Sequence, residues 1–229
     1  MSVIIRLTEV TMSFGLSGAG GGDHRVLNNL DLEIQQGERI GLVGRNGAGK
    51  STLLRIIGGI YPPAGGTVWR DPKKTVALLS IGLGFKGDLS GRDNALLAAM
   101  LQGMTRREAK QRLDAIGEFT ELGEFFEQPV KTYSSGMRSR LGFATGLLLD
   151  TDILLLDEIL AVGDQGFRQK AREALRERLA PDKTVILVHH MEQAIKEICH
   201  RAVWLEQGRV RDDGNAAEVL AAYSADANR

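Results

Sequence analysis

Cysteine is almost missing from this chain: Cys199 is the only one in 229 residues. One cysteine cannot form an internal disulfide, so the core must hold the fold, and a reducing compartment is expected. Net charge is missing too, because 29 lysines and arginines balance 29 aspartates and glutamates. A balanced chain lays out no field for nucleic acid, so no nucleic-acid partner is expected. Long apolar runs are absent as well. The densest, Leu147–Leu149 and Ile153–Leu156, are interrupted by Asp150, Asp152 and Asp157. They fall far short of the ~20 residues that span a bilayer. The opening Met1-Ser2-Val3-Ile4-Ile5-Arg6 lacks the basic region and long apolar core of a secretory leader, so none is expected. Work at a membrane would need something else to hold this chain there. No internal repeat or low-complexity tail is visible, and the length suits one large domain or a domain with a subdomain.

What is present starts with Gly44-Arg45-Asn46-Gly47-Ala48-Gly49-Lys50-Ser51-Thr52. It fits G-x-x-x-x-G-K-[ST], the phosphate loop of many nucleoside triphosphatases. The glycines let the backbone turn tightly so that successive N–H groups face the phosphates. Lys50 is placed to neutralise the β- and γ-phosphates, and the Ser51 hydroxyl to ligate Mg²⁺. The context agrees: Glu38–Val43 reads as a buried strand and Lys50–Ile57 as a helix whose N-terminus faces the anion.

The first forty residues read as strands, Ile4–Phe14 and Val26–Ile34, with a Gly-rich loop at Gly15–Asp23 between them. Tyr61–Gly66 is a turn before strands at Thr67–Trp69 and Thr75–Leu79. From Gly91 to about Gly123 the texture is helical, and Thr105-x-x-Glu108 is a capping box. From Ser134 onward strand and helix alternate: a helix to Leu149, strand Ile153–Leu156, helix Gln165–Leu179, strand Thr184–Val188 and helix Met191–Ile198. That alternation implies right-handed βαβ units and a parallel sheet. The expected fold is α/β: a P-loop core with a parallel sheet, an N-terminal antiparallel β subdomain and an inserted helical subdomain. One domain is expected over 1–229, with the helical insertion at roughly 86–140.

Ile153-Leu154-Leu155-Leu156-Asp157-Glu158 is an aliphatic run ending in two carboxylates. Continuous aliphatics suit a strand buried on both faces, and its C-terminal end is where open α/β sheets place ligands. Asp157 would hold Mg²⁺ and Glu158 would be the general base for an attacking water. Thr132-Tyr133-Ser134-Ser135-Gly136-Met137 opens a helix with hydroxyls and a glycine. Such a start is either an ordinary N-cap or a second anion site.

These three motifs together resemble the nucleotide-binding subunit of an ABC transporter, over almost the whole chain. Ile57-Gly58-Gly59-Ile60, Gly91-Arg92-Asp93-Asn94, Lys131–Leu141, and Asp157-Glu158 followed by Ala161-Val162-Gly163-Asp164 resemble capsular-polysaccharide exporters, with O-antigen and teichoic-acid exporters as relatives. The resemblance implies a homodimer of ATPase subunits with ATP between one subunit's Gly44–Thr52 loop and the other's Ser134, Ser135 and Gly136. It implies a separate polytopic permease, and a place at the cytoplasmic face of the inner membrane. It matches Phe14 to an adenine-stacking aromatic, Asp164 to a loop aspartate at the dimer interface, and His190 to a histidine that contacts the γ-phosphate, with His189 its neighbour. ATP and Mg²⁺ are the expected cofactors. Other cargoes, a lipid or a drug, and a non-transport ABC ATPase are the alternatives.

The family pattern is departed from twice. No glutamine lies between Thr67 and Leu101, so Ser80 or Lys86 stands where a metal-linking glutamine is usual. His200 replaces an aspartate before the last core strand and reads as surface variation. After His190 the residues are used by a helix, strands near Val203–Leu205 and Arg209–Arg211, and a helix at Ala216–Tyr223. No direct glycan recognition is expected of them.

Overall fold

The computed structural model describes residues 2–15, 23–79, 84–101, 104–149, 151–157, 163–178, 183–189 and 191–227. In chain order the elements are β1 (Val3–Gly15), β2 (Asp23–Gln35), β3 (Arg39–Val43), α1 (Lys50–Ile57), β4 (Gly65–Arg70) and β5 (Val76–Leu79). Then come α2 (Gly91–Leu101), α3 (Arg106–Thr120), two short 3-10 turns at Gly123–Glu127 and Val130–Thr132, and α4 (Ser135–Leu148). The chain continues through β6 (Ile153–Asp157), α5 (Gln165–Arg178), β7 (Thr184–Val188), α6 (Glu192–Ile198), β8 (Arg201–Glu206), β9 (Arg209–Asn215) and α7 (Ala216–Ala227). These elements form two compact units, the first built from Met1–Lys74, Ile153–Asp157 and Pro181–Arg229, the second from Thr75–Asp152 and Glu158–Ala180.

The first unit holds two sheets. One is antiparallel, in the order β2-β1-β4. The alternation of its strands is broken where Glu9 and Asn29 take positive φ and the β1–β2 register shifts. Asp31 Oδ1 accepts the Glu9 amide at 2.8 Å there. A bulge of this kind leaves one residue unpaired and re-aims those after it. The ladder continues to Gly15 opposite Asp23, two residues that the sequence assigned to a loop.

The second sheet of this unit runs β6-β7-β3-β8-β9. β6, β7, β3 and β8 are parallel, and β7 is buried at every position. Strands buried on both faces need continuous aliphatics, and Thr184-Val185-Ile186-Leu187-Val188 supplies them. α6 packs close to β3: a Cβ on Gly41 would lie 2.3 Å from Ile195 Cγ2. β9 is the departure from an all-parallel sheet. It pairs antiparallel with β8 through Gln207 (φ 49°) and Gly208 (φ 74°). Two residues with positive φ make a hairpin turn, whereas a parallel return needs a dozen residues or more. His200 is exposed, and its backbone donates to Arg39 O at 3.0 Å and accepts the Ala216 amide at 3.0 Å.

In the second unit α2, α3 and α4 share a core of Ala95, Leu113, Ile116, Phe126, Tyr133, Leu141 and Ala144. The capping box that opens α3 is present: Thr105 Oγ1 accepts the Glu108 amide at 3.3 Å, and Glu108 Oε2 accepts the Thr105 amide at 2.8 Å. Buried Asn94 fixes the loop before α2. Its Oδ1 accepts from Lys86 N at 2.7 Å, and its Nδ2 faces the carbonyls of Lys86, Leu89 and Ser90 at 2.9–3.2 Å.

Candidate functional site

The Gly44–Thr52 loop joins β3 to α1 and turns by positive φ at Gly44 (147°), Gly47 (82°) and Gly49 (99°). A side chain is refused at two of the three. A Cβ on Gly44 would lie 2.2 Å from Leu205 O, and one on Gly49 would lie 2.7 Å from Leu27 Cδ2. Around Gly47 there is open space. Arg45 and Asn46 are exposed, Ala48 is buried, and Thr52 lies half-buried in the first turn of α1. Lys50 is buried and folds back into the loop, donating to Gly44 O at 2.6 Å and Arg45 O at 3.0 Å. The ammonium is thereby held at two carbonyls at the start of the loop. Gly49 is the N-cap of α1 and offers no side-chain acceptor, and no acid lies in the first turn. A helix start with no side-chain acceptor and no acid of its own suits an anion.

The end of β6 reaches the same place. Ser51 Oγ donates to Asp157 Oδ1 at 3.1 Å. A hydroxyl and a carboxylate side by side are two hard oxygens, the donors Mg²⁺ takes, and so small a set leaves room for the phosphate oxygens and waters it keeps. The residues present fit both the nucleotide phosphates and the metal. Phe14, near the end of β1, is 39% exposed and meets Tyr61 edge-on with centroids 6.0 Å apart. Tyr61 is in turn covered by Arg55, 5.8 Å from its ring centre.

The second unit contains the other motif. Ser134 is the N-cap of α4, and its Oγ accepts the Met137 amide at 3.2 Å. Ser134 and Ser135 are exposed, and a Cβ on Gly136 would meet nothing closer than Ser134 Oγ at 3.8 Å. Tyr133 is buried and donates to Phe125 O at 2.5 Å, which anchors the approach to α4. Burial raises its phenol pKa. A cavity of about 560 Å³ opens here, walled by Ser134, Gly136, Arg140, Gly163 and Asp164 among others. Asp164 caps α5, accepting the Phe167 amide at 3.0 Å. That bond, followed by the charge of Arg140, holds its carboxyl below the usual carboxylate range.

The structure thus brings Lys50, Ser51 and Asp157 together in the first unit, and Ser134, Gly136 and Asp164 together in the second. Glu158, His190 and Ser80 lie outside the described residues. His189 is described, and its Nδ1 accepts the Met191 amide at 2.9 Å. Lys86 is held through its backbone by Asn94. Sequence reasoning gave no role to Asn94 or Arg140. Both stand in runs that carry the exporter resemblance, Gly91–Asn94 and Lys131–Leu141, but nothing in those runs says what either side chain touches.

A family model described as "ABC transporter" matches residues 27–161. The O-antigen export system ATP-binding protein RfbB of Myxococcus xanthus is 45% identical over 197 residues, covering 86% of this chain and 45% of that protein. The teichoic acids export ATP-binding protein TagH of Bacillus anthracis is 41% identical over 203 residues, covering 89% of this chain and 37% of its own. This chain spans less than half the length of those two relatives. An RfbB of Klebsiella pneumoniae is 38% identical over 203 residues and is itself 82% covered. Among solved structures, a dimeric ATP-binding cassette in a post-hydrolysis state, bound to ADP and Pi, superposes with a TM-score of 0.76 at 22% identity, over 93% of this chain and 99% of its own. An ATP-binding subunit of an ABC transporter superposes with a TM-score of 0.77 at 22% identity, over 96% and 93% of the two chains. With the family match, the phosphate loop and the shared fold in agreement, this chain belongs to the ABC transporter family.

Proposed function

We propose that this chain is the ATP-hydrolysing subunit of an exporter for a cell-surface polysaccharide. The observation that carries the ATPase reading is the loop of Gly44–Thr52, with Lys50 centred on its carbonyls and Ser51 beside Asp157. The cargo reading is supported by relatives named for O-antigen and teichoic-acid export at 38–45% identity. A capsular polysaccharide is the narrower reading, drawn from the motif runs around Gly91–Asn94 and Lys131–Leu141.

Backbone N–H groups of Gly47–Ser51 and the Lys50 ammonium would bind the phosphates, and Phe14 would stack on the adenine. Ser51 and Asp157 would hold Mg²⁺, which when bound neutralises charge on the phosphates. Glu158 would accept a proton from the attacking water, and His190 would contact the γ-phosphate. Ser134, Ser135 and Gly136 of a second copy would close on the nucleotide, with Asp164 at the same interface. Among the described residues no helix is long and apolar enough to cross a membrane. In this reading a separate permease would hold the dimer at the cytoplasmic face.

Glu158→Gln tests the chemistry. It should keep ATP affinity, lower turnover by ~10²–10⁴-fold and accumulate an ATP-bound dimer in size-exclusion chromatography. Near-normal turnover in the purified variant removes Glu158 from the mechanism. Reconstitution with a polysaccharide-exporter permease tests the cargo reading, and an ATPase rate that the permease leaves unchanged counts against it.

A further inference from the structure

Arg140 stands six residues after Ser134, on α4, and its side chain is only 19% exposed. It pairs with Asp164 and lies 3.6 Å from Glu121 Oε2. Its guanidinium also sits 4.9 Å from the centre of the Phe167 ring. One side chain thus touches the C-cap of α3, the loop ahead of α5 and the first turn of α5. Glu121 also receives Lys170 Nζ at 2.7 Å, so two acids and two cations form a balanced cluster. Beneath it Phe167 packs edge-on against Phe119 and Phe143, at 5.8 and 6.2 Å between centroids.

Local structure does not need this arrangement. α4 is already capped by Ser134 and α5 by Asp164. What Arg140 adds is a link between the two caps. Gly163, at φ 72°, lets the chain turn just before Asp164. Ordering a residue when a ligand arrives costs entropy, unless something orders it beforehand.

We propose that Arg140 is a positioning residue that ties the Asp164 loop to the helix beginning at Ser134. Ser134, Gly136 and Asp164 are thereby held on one cavity wall before nucleotide is met. This rests on the reading that these residues face the nucleotide of a second copy. The planar guanidinium suits the task, because it serves two carboxylates and stacks on a ring at once. A lysine ammonium can keep the charge but not the geometry.

The test uses the full chain carrying Glu158→Gln. Two quantities are measured: the ATP concentration for half-maximal pairing, by light scattering, and the affinity of the dilute monomer for a fluorescent ATP analogue. Arg140→Ala should raise the first about tenfold and leave the second unchanged, because the phosphate loop lies in the other unit. Arg140→Lys should recover part of the loss. Arg140→Ala combined with Asp164→Ala should be no worse than the worse single variant, as expected when two residues act as one unit. Should Arg140→Ala fail to fold, Arg140→Lys and Asp164→Asn carry the same comparison. Unchanged pairing in Arg140→Ala, or fully additive losses in the double variant, overturns the proposal. If the Glu158→Gln parent itself does not pair with ATP, the dimer reading falls, and this proposal falls with it.

Discussion

The chain places two helix N-termini at its functional motifs, and they are built in opposite ways. At α1 the loop is made by backbone. Three glycines with positive φ turn it, Gly49 caps the helix with no side chain, and Lys50 fills the centre. At α4 the start is made by side chains. Ser134 caps in the ordinary way, Gly136 has room around it, and Arg140 holds the neighbouring loop. A backbone-built site depends on its glycines, because their positive φ makes the turn. A side-chain-built start is, by itself, an ordinary capped helix. The first should therefore be intolerant of a side chain at Gly44 or Gly49, and the second tolerant in isolation yet sensitive in function.

The widest separation between the two should come from glycine. Gly44→Ala forces a Cβ to within 2.2 Å of Leu205 O at φ 147°. Strain of this kind costs about 1–3 kcal/mol before the overlap is counted. The thermal midpoint should fall by about 4 °C or more, and ATP binding should be lost. Gly136→Ala meets open space, and alanine is favoured over glycine in a helix by up to ~1 kcal/mol. Its midpoint should hold or rise while ATP-driven pairing fails. Calorimetry beside a pairing assay decides, and a large loss of stability in Gly136→Ala would end the contrast.

A smaller effect separates cap from contact at Ser134. Ser134→Ala should cost about 1 kcal/mol of stability through the lost cap, whereas Ser134→Gly should cost only a few tenths. If the hydroxyl also meets nucleotide, both variants should lose pairing equally despite their different midpoints. Denaturant melts and the pairing assay separate the roles, and pairing that tracks stability would reduce Ser134 to a cap.

The smallest effect is in pH. The Asp164 carboxyl is held below its usual range, so its contribution is present above the unfolded-state value of ~3.9 and is lost as pH falls through its lower folded value. The coupling between Arg140 and Asp164 should thus stay constant from pH 8 to pH 5. A double-mutant cycle whose coupling vanishes at pH 6 would show that the carboxylate is not the partner.

How much was legible follows the same division. Lys50–Ile57 and Thr184–Val188 begin and end where the sequence placed them, because a phosphate loop and a five-residue aliphatic run leave little choice. Thr105 and Glu108 announced the start of α3 for the same local reason. β9 was readable as a strand but not as antiparallel, since direction depends on two turn residues whose positive φ shows only once the hairpin forms. Asn94 and Arg140 were passed over because their partners lie up to 24 residues away, or are carbonyls with no residue identity to read.

By itself, then, the sequence determined the order of strand, loop and helix and the family, and it singled out Lys50, Ser51 and Asp157 as candidates, because each of these rests on neighbours in the chain. Tertiary structure alone decided the direct hydrogen bond from Ser51 to Asp157 across 106 positions, and that Arg140 joins the C-cap of α3 to the start of α5. Contacts between distant residues are fixed by how the elements pack, and packing sums many weak apolar contacts that no short motif records.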